Sequence, residues 1–387
     1  MRRLDLAVEA VYRYRRPDPA CWDAVVEAVC SRESSYHADR ALVQAGRAVA
    51  RHADRIAASL RQGRGFYGTA VDRDVEVLAL ALAGTGDPRG VPALQRLGEH
   101  GGFPTQRPWA CVLAESPAAG LLPIVRAVLR KTRHRPEAGL EVLAGWGPDA
   151  APAVPEVTRF LDTDLAYDAL RVLGRIGPAA AGTANRLVDF VTGRAPRAGR
   201  HHTRLAAWAH WKVTGDPALA LDVCGAAVTS GSGSHALPYL ADLGPLAAAQ
   251  ADTVRGLMES SPGAWTRVFA AHAYWRITGE AEPAVPVLLA EADPDWTGLQ
   301  ALPTQEAVRR LGEIGAPAAV AAPLLHRILA AEERLSDPYE TTRILIDTSY
   351  TRTLTEALKR IAPGTATPGT ELVPAVGRVR LRGLRGW

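Results

Sequence analysis

The residues that could do chemistry occur first in the stretch AWAHWKVTGD, residues 207–216. Two tryptophans flank a histidine there, and a lysine and an aspartate follow. A related stretch, HAYWRITGE at residues 272–280, begins with another histidine, His272. Such side chains can form a site, but they can equally be part of a scaffold. The elements that position them decide between the two interpretations.

Adjacent His201 and His202 raise the question of a metal site. They lie in a segment rich in Gly, Pro and Arg, without a carboxylate or cysteine at ligand spacing, so no metal is predicted. The cysteines share no metal-ligand spacing either, and we interpret them as buried thiols of a reducing compartment. These cysteines are Cys21, Cys30, Cys111 and Cys224.

Nucleotide and catalytic motifs give the same answer. The segment GRGFYG, residues 63–68, matches GxGxxG, but a helical pattern precedes it where a dinucleotide site needs a strand, so a loop is predicted. The sequence contains no GxxxxGK[ST] phosphate loop and no HExxH zinc motif. Acid pairs such as Asp162 and Asp164 lie between units, where acids commonly cap helices. We therefore predict no catalytic residue, no metal, no cofactor and no enzymatic activity.

The elements behind these residues come from an internal repeat. Its mark is a short corner, in which a large apolar residue is followed four positions later by glycine, usually with proline close behind. Neighbouring corners are 29 to 38 residues apart, a drift that suits a stacked array with variable loops. The corner residues are Gly86, Gly147, Gly177, Gly215, Gly244, Gly279 and Gly315, with a weaker Gly46 and with Ser116 in the gap after Gly86.

Each repeat is predicted to be a helix, a tight turn and a second helix. The large apolar position lies four residues before the glycine, and alanine recurs four residues earlier, which gives one face for close packing. Glycine then ends the helix in a left-handed conformation, and proline suits the first turn of the next helix. One unit cannot bury its apolar faces alone, so units are expected to stack on their neighbours.

This alignment predicts the environment of the opening residues. Trp211 and Trp275 occupy the slot where other units have leucine, so we expect both in the core. Trp208 falls in another apolar slot and is also expected to be buried. His210 aligns with Val142, Tyr239, Tyr274 and Arg310, a mixed slot that we assign to a helix flank.

His272 stands in an apolar slot that holds leucine, tryptophan or valine in other units. The favoured interpretation is a hydrogen-bonded histidine within an imperfect core. The alternative is a functional histidine that lines a groove.

Two units carry a resemblance to a known family: DALRVLGRIGPAAAGTANRLVDF at residues 168–190 and EAVRRLGEIGAPAAVAAPLLHRIL at residues 306–329 resemble HEAT repeats. Their short period is similar to that of bacterial phycobilin-lyase-type HEAT-like proteins. The resemblance covers roughly residues 38–362. It implies an all-α fold, a right-handed α-solenoid of about nine stacked helix pairs of the HEAT-like or armadillo type. Such arrays are mostly protein-binding scaffolds, and a minority bind nucleic acid or act as enzymes.

Charge is distributed unevenly along the chain. Residues 1–204 carry a net charge of +7, residues 205–362 carry −6, and residues 363–387 carry +3. The overall value of +4 therefore conceals a basic end and an acidic end.

Basic residues cluster where second helices end, which would place them along one edge of a stacked array. Such an edge could bind an anionic partner, although solvated loops in an arginine-rich chain are the favoured alternative. The candidate edge residues are Arg61, Arg64, Arg126, Arg130, Lys131, Arg133, Arg135, Arg194, Arg197 and Arg200.

The two ends are predicted to differ from the array. Residues 1–37 are expected to form a capping helix region or an irregular first unit, and residues 363–387 a flexible basic tail. The N-terminal sequence lacks the apolar core of a signal peptide, and no apolar run is long enough to span a membrane. We therefore expect a cytoplasmic protein without membrane association.

The sequence thus favours a non-catalytic scaffold that binds another macromolecule, most simply a protein, on its helical surface. The first alternative is a nucleic-acid-binding array, such as a protein similar to the HEAT-like alkylpurine DNA glycosylases, using the basic edge. Its weaknesses are tryptophans in core slots and an acidic second half. A weaker alternative is a phycobilin-lyase-type enzyme, for which no chromophore-handling cysteine or histidine stands out.

Overall fold

The structure is a computed structural model that describes residues 2–62, 66–67, 70–71, 73–99, 107–114, 116–131, 136–230, 233–292, 302–335 and 342–363. Within these residues the chain forms 21 α-helices and one pair of two-residue strands. The helices up to the middle of the chain are α1 Arg2–Arg13, α2 Pro19–Cys30, α3 Tyr36–Gln44, α4 Ala53–Gln62, α5 Arg73–Thr85, α6 Val91–Glu99, α7 Arg107–Ala114, α8 Ala118–Arg130, α9 Glu137–Trp146, α10 Val154–Thr158 and α11 Ala166–Ile176. The remaining helices are α12 Ala184–Val191, α13 Arg200–Thr214, α14 Ala218–Thr229, α15 Leu237–Leu243, α16 Ala251–Ser260, α17 Ala264–Thr278, α18 Ala284–Glu291, α19 Leu302–Ile314, α20 Ala322–Ala330 and α21 Arg343–Ile361.

The prediction of an all-α chain with many packed helices is confirmed for the described residues. The exception is the antiparallel pair of β1, Phe66–Tyr67, and β2, Ala70–Val71. Since β1 lies inside the segment predicted as a loop and follows helix α4, the strand–glycine–helix order of a dinucleotide site is not formed there. Among the described residues, no helix combines the length and apolar character needed to cross a bilayer.

The predicted corner glycines are confirmed by their backbone conformation. All eight, including the weak example Gly46, have a positive φ between +51° and +83°. Since this region is strained for residues with a Cβ, glycine is the residue that turns the chain there at low cost. In element order, α3–α20 form nine successive pairs of a helix, a corner and a second helix.

The helices pack along two series. Within each unit, first helices contact the first helices of neighbouring pairs, as α9 contacts α7 and α11 in unit 1, and α17 contacts α15 and α19 in unit 2. Second helices pack on the first helix of their own pair, as α14 does on α13, or on the first helix of the next pair, as α16 does on α17. The right-handed superhelical path inferred from the repeats stays a prediction.

The chain divides into two compact units. Unit 1 takes its described residues from Met1–Ala179 and Glu332–Asp347, and unit 2 from Ala180–Ala331 and Thr348–Val373. The N-terminal region predicted as a cap contains two helices, α1 and α2, and belongs to unit 1.

Unit 1 is closed by contacts between its two chain segments. The backbone N–H of Arg15 donates to the carbonyl of Glu332, and that of Arg334 donates to the carbonyl of Arg13, each at 2.8 Å. The Asp347 carboxylate, 1% exposed, accepts hydrogen bonds from both Arg15 and Arg334. Residues 13–15, at and just after the end of α1, therefore contact residues 332–347, far away in sequence, within unit 1.

Candidate functional site

Catalytic chemistry finds little support in the side chains. Within the described residues, no group of three or more His, Cys, Asp or Glu side chains is placed to hold a metal ion. Burial raises the pKa of the Cys224 thiol to about 12 and also raises that of Cys30. Because the thiolate is the reactive form, these two cysteines are poor nucleophiles near neutral pH.

Part of the predicted basic edge is neutralised. Arg126 and Arg130 both donate to the carboxylate of Glu156, which is 4% exposed, at distances from 2.5 to 3.3 Å. Burial opposes ionisation of Glu156, but the hydrogen bonds from the two arginines prevail and lower its pKa. Lys131 donates to the carbonyl of Glu99 at 2.8 Å. These cations are therefore engaged within unit 1.

The other candidate edge residues are placed as follows. Arg61 is exposed at the end of α4 in unit 1, whereas Arg194, paired with Asp189, and Arg197 belong to unit 2. One continuous basic edge therefore stays a prediction. Arg64, Arg133 and Arg135 lie outside the described residues, as does the side chain of Arg200.

His272 is buried, at 4% exposure, within unit 2. Its Nε2 lies 3.0 Å from Oε2 of Glu313 and 3.2 Å from Nη1 of Arg310. Arg310 in turn donates to Glu313 at 2.6 Å and to Glu306 at 2.6 Å. The favoured prediction of a hydrogen-bonded core histidine agrees with this geometry.

The cluster fixes the protonation of its members. Burial and the neighbouring Arg310 guanidinium lower the pKa of His272 to about 4. The pKa of Glu313 is lowered too, since the His272 and Arg310 contacts outweigh the effect of burial. A neutral His272 that donates from Nε2 to Glu313 leaves Nδ1 as a buried acceptor, and this atom has no hydrogen-bond partner. The arrangement joins α17 to α19.

The slot assigned to a helix flank is buried in most units, so that prediction was wrong. Val142, Tyr239, Tyr274 and Arg310 are all buried, whereas His210 is half-buried. The physical reason is that the polar ends of the Tyr274 and Arg310 side chains bond to carboxylates. The Tyr274 hydroxyl, for example, donates to Glu280 at 2.5 Å. With its tip satisfied in this way, a long side chain can bury its stem.

Trp211 and Trp275 are half-buried, so their assignment to the core was wrong. The indole ring is larger than the leucine side chain of other units, and tryptophan is rarely fully buried for that reason. A cation lies over each half-buried ring: Lys212 Nζ is 4.6 Å from the Trp211 ring centre, and Arg276 Cζ is 5.9 Å from the Trp275 ring centre. The prediction for Trp208 is confirmed at 5% exposure.

The helices that carry the two tryptophans, α13 and α17, both contact α15. Trp208, on the same helix as Trp211, donates from Nε1 to Asp242 at 3.0 Å. Arg276 donates from Nε to the carbonyl of Ala241 at 3.2 Å. Since Ala241 and Asp242 are adjacent in α15, α13 and α17 both reach the same end of α15. We call Trp211 with Lys212 and Trp275 with Arg276 the tryptophan corners.

The tryptophan corners have the chemistry of a protein-binding surface. Partly exposed tryptophans and arginines are the residues most enriched at the energetic centres of protein interfaces. A cation above the ring adds a group that pairs with a carboxylate of a partner. The internal repetition of the W-[KR]-[VI]-T-G-[DE] segment was a sequence signal for this pair, but the leucine alignment concealed its exposure.

No protein-family model and no curated protein sequence matches this chain. The residues and their geometry therefore carry the functional argument.

Proposed function

We propose that this chain is a non-catalytic HEAT-like repeat scaffold that binds another protein through the tryptophan corners of unit 2. The carrying observation is that two repeats, whose first helices both contact α15, each place a half-buried tryptophan beside a cation. Helical packing alone requires no cation at these rings. An apolar segment of a partner with an adjacent carboxylate fits both groups.

The alternative of a nucleic-acid-binding array is less well supported. Duplex binding depends on cations that neutralise phosphates. Glu156 already holds Arg126 and Arg130, and the Glu99 carbonyl holds Lys131. A nucleic acid would have to displace these contacts before the three cations could bind phosphate.

The test compares captured proteins between variants. Immobilised wild-type chain and the double variant Lys212→Glu/Arg276→Glu are incubated with lysate of the native host, and the bound proteins are quantified by mass spectrometry. We expect a partner captured by wild type and lost with the double variant, because the charge at both tryptophan corners reverses sign. Leu246→Ala, which removes an exposed apolar side chain of unit 2, is the matched control and should retain the partner.

Nucleic-acid binding is measured in parallel by anisotropy with duplex DNA at two salt concentrations. The scaffold proposal expects a dissociation constant of about 10⁻⁴ M or weaker at physiological salt. Sub-micromolar binding that is lost when Arg130, Lys131, Arg133 and Arg135 are replaced would instead establish the nucleic-acid alternative. Equal capture by wild type and the double variant would remove the tryptophan corners as the binding surface.

A further inference from the structure

The adjacent histidines His201 and His202 contact different rings in the structure. His201 lies beside a third histidine, His235. The ring of His202 lies 6.0 Å from the ring of Phe190, centre to centre. The ring of His201 lies 5.4 Å from that of His235, and the two planes are at 82°. His201 and His235 are both exposed, so an ion and its water ligands can reach them.

The backbone holds both histidines in place. His201 is in the first turn of α13, where the N–H groups of His202 and Thr203 donate to the carbonyl of Gly199 at 2.8 and 3.0 Å. His235 ends the 3₁₀ turn Gly233–His235, which leads into α15. These elements belong to unit 2, so the backbone of both residues is held within one compact unit.

The turn that carries His235 is tightly packed. A Cβ atom added at Gly233 would lie 2.4 Å from Cα of Val228, so the backbone there approaches the end of α14 as closely as glycine allows. The N–H of Ala236 also donates to the carbonyl of Gly233 at 2.8 Å. A ligand fixed in this way loses little freedom on binding.

The ring separation matches the spacing of two imidazoles on one ion. A metal–nitrogen bond of about 2.0–2.1 Å and a tetrahedral angle put the two ring centres roughly 5 Å apart. Imidazole is a preferred ligand of Zn²⁺, Ni²⁺ and Cu²⁺. We propose that His201 and His235 form a two-histidine site for a late first-row divalent metal ion, with water in the remaining positions.

The site links α13 to the turn before α15. Since the ion needs both side chains, it binds the folded chain better than the unfolded chain and stabilises it. Sequence reasoning did not find this pair because 34 positions separate its members, and the adjacent His202 was the more evident partner.

The experiment uses the untagged full chain on an immobilised chelate that carries Ni²⁺ and leaves open coordination positions. We expect wild type to be retained and eluted by imidazole, and both His201→Ala and His235→Ala to elute earlier. His202→Ala is the matched control, since it removes the neighbouring histidine of the same helical turn, and it should behave as wild type.

A thermal-shift titration with Zn²⁺ gives the second readout. Wild type and His202→Ala should gain melting temperature as Zn²⁺ is added, whereas His201→Ala and His235→Ala should not. In EDTA, His201→Ala and His235→Ala should melt as wild type does, since both side chains are exposed. If His235→Ala is retained and stabilised as wild type is, or if wild type itself responds to neither metal, the site does not exist.

Discussion

The corner glycines fall into two classes that differ in both sequence and geometry. In the G-P corners, where proline follows the glycine directly (Gly147, Gly177 and Gly244) or after one alanine (Gly315), ψ lies between −139° and −123°, and a 3₁₀ segment follows. In the T-G corners Gly215 and Gly279, ψ is −9° and −6°, the left-handed helical conformation. Gly86, also preceded by threonine, shares their φ, at +82°.

The surroundings of the two classes differ as well. A Cβ added at Gly244 would lie 3.3 Å from the carbonyl oxygen of Arg276 on the next first helix, and at Gly147 it would lie 3.5 Å from that of Arg175. At Gly86, Gly215 and Gly279 a Cβ would meet no heavy atom within 4 Å. The residue before the glycine is apolar and buried in the G-P corners and threonine in the T-G corners.

One residue type therefore performs two tasks. In a G-P corner, glycine lets the turn approach the neighbouring first helix and start a 3₁₀ segment at once. In a T-G corner it ends the helix. After Gly86 and Gly215, a side-chain oxygen of the next aspartate also accepts a backbone N–H where the following helical segment begins, as Asp216 does from Ala218 at 3.0 Å. The tryptophan corners belong to this second, open class.

The largest expected effect tests a contact between helices of the two classes. Helix α17 ends in a T-G corner and α19 in a G-P corner, and His272 joins them through Glu313 and Arg310. Burial lowers the pKa of His272 to about 4 in the folded chain. Between about pH 6.5 and pH 4, His272 is therefore protonated in the unfolded chain but neutral in the folded chain. The free energy of unfolding should fall by about 3 kcal/mol as pH drops from 8 to 4.

The measurement is urea unfolding, followed by circular dichroism, between pH 6.5 and pH 5, where ordinary carboxylates stay largely ionised. About half of the loss should occur in this window. His272→Asn should be less stable at neutral pH but show a flatter dependence, whereas His326→Asn, a half-buried control in α20, should keep the wild-type slope. Parallel slopes for wild type and His272→Asn would mean that His272 titrates normally.

The second prediction substitutes asparagine at one glycine of each class. Asparagine tolerates the left-handed helical conformation, so Gly215→Asn should cost less than about 1 kcal/mol. Gly244→Asn should cost about 2 kcal/mol, because its φ of +58° with ψ of −132° is sparsely populated by other residues. Its Cβ would also press on the Arg276 carbonyl. Thermal melting of the two variants gives the comparison. Equal losses of stability would mean that the two classes of corner place the same demand on their glycine.

The part of the fold that the sequence predicts is the part that local residues determine. A positive φ leaves a direct signature in glycine, which is why the corner positions are confirmed throughout. Aligning the repeats shows which position a residue occupies but not whether its side chain fits there. Trp211 and Trp275 were therefore assigned the burial of the smaller leucine found in other repeats.

Contacts between distant residues were not predictable from a single sequence. His272 and Arg310 lie 38 positions apart on different helices, and the polar partner of a buried histidine has no local spacing rule. Arg15 and Asp347 are separated by 332 positions, yet they close unit 1. The candidate edge was predicted from charge runs, but Glu156, which neutralises two of its arginines, comes from the next helix pair.

The smallest expected effect concerns the threonine that defines a T-G corner. The Thr214 hydroxyl donates to the carbonyl of His210 at 2.7 Å and accepts from the N–H of Asp216 at 3.1 Å. Thr278 repeats both bonds in α17, with the Tyr274 carbonyl and the Glu280 N–H. The hydroxyl thus links the last helical turn to the residue after the glycine by two hydrogen bonds. The buried apolar residue of a G-P corner has no polar side-chain atom and cannot form them.

Thr214→Val keeps the branched shape but removes both bonds, and should lower the free energy of unfolding by about 1 kcal/mol. Thr214→Ser retains the hydroxyl and is the matched control, with a smaller loss expected. Thr214→Val/Thr278→Val should lose about the sum of the single losses, since the two corners share no partner. Urea midpoints of wild type, Thr214→Val, Thr278→Val, Thr214→Ser and the double variant decide the point. If the valine variant were as stable as the serine variant, the glycine alone would hold the T-G corner, and the threonine would be incidental to its geometry.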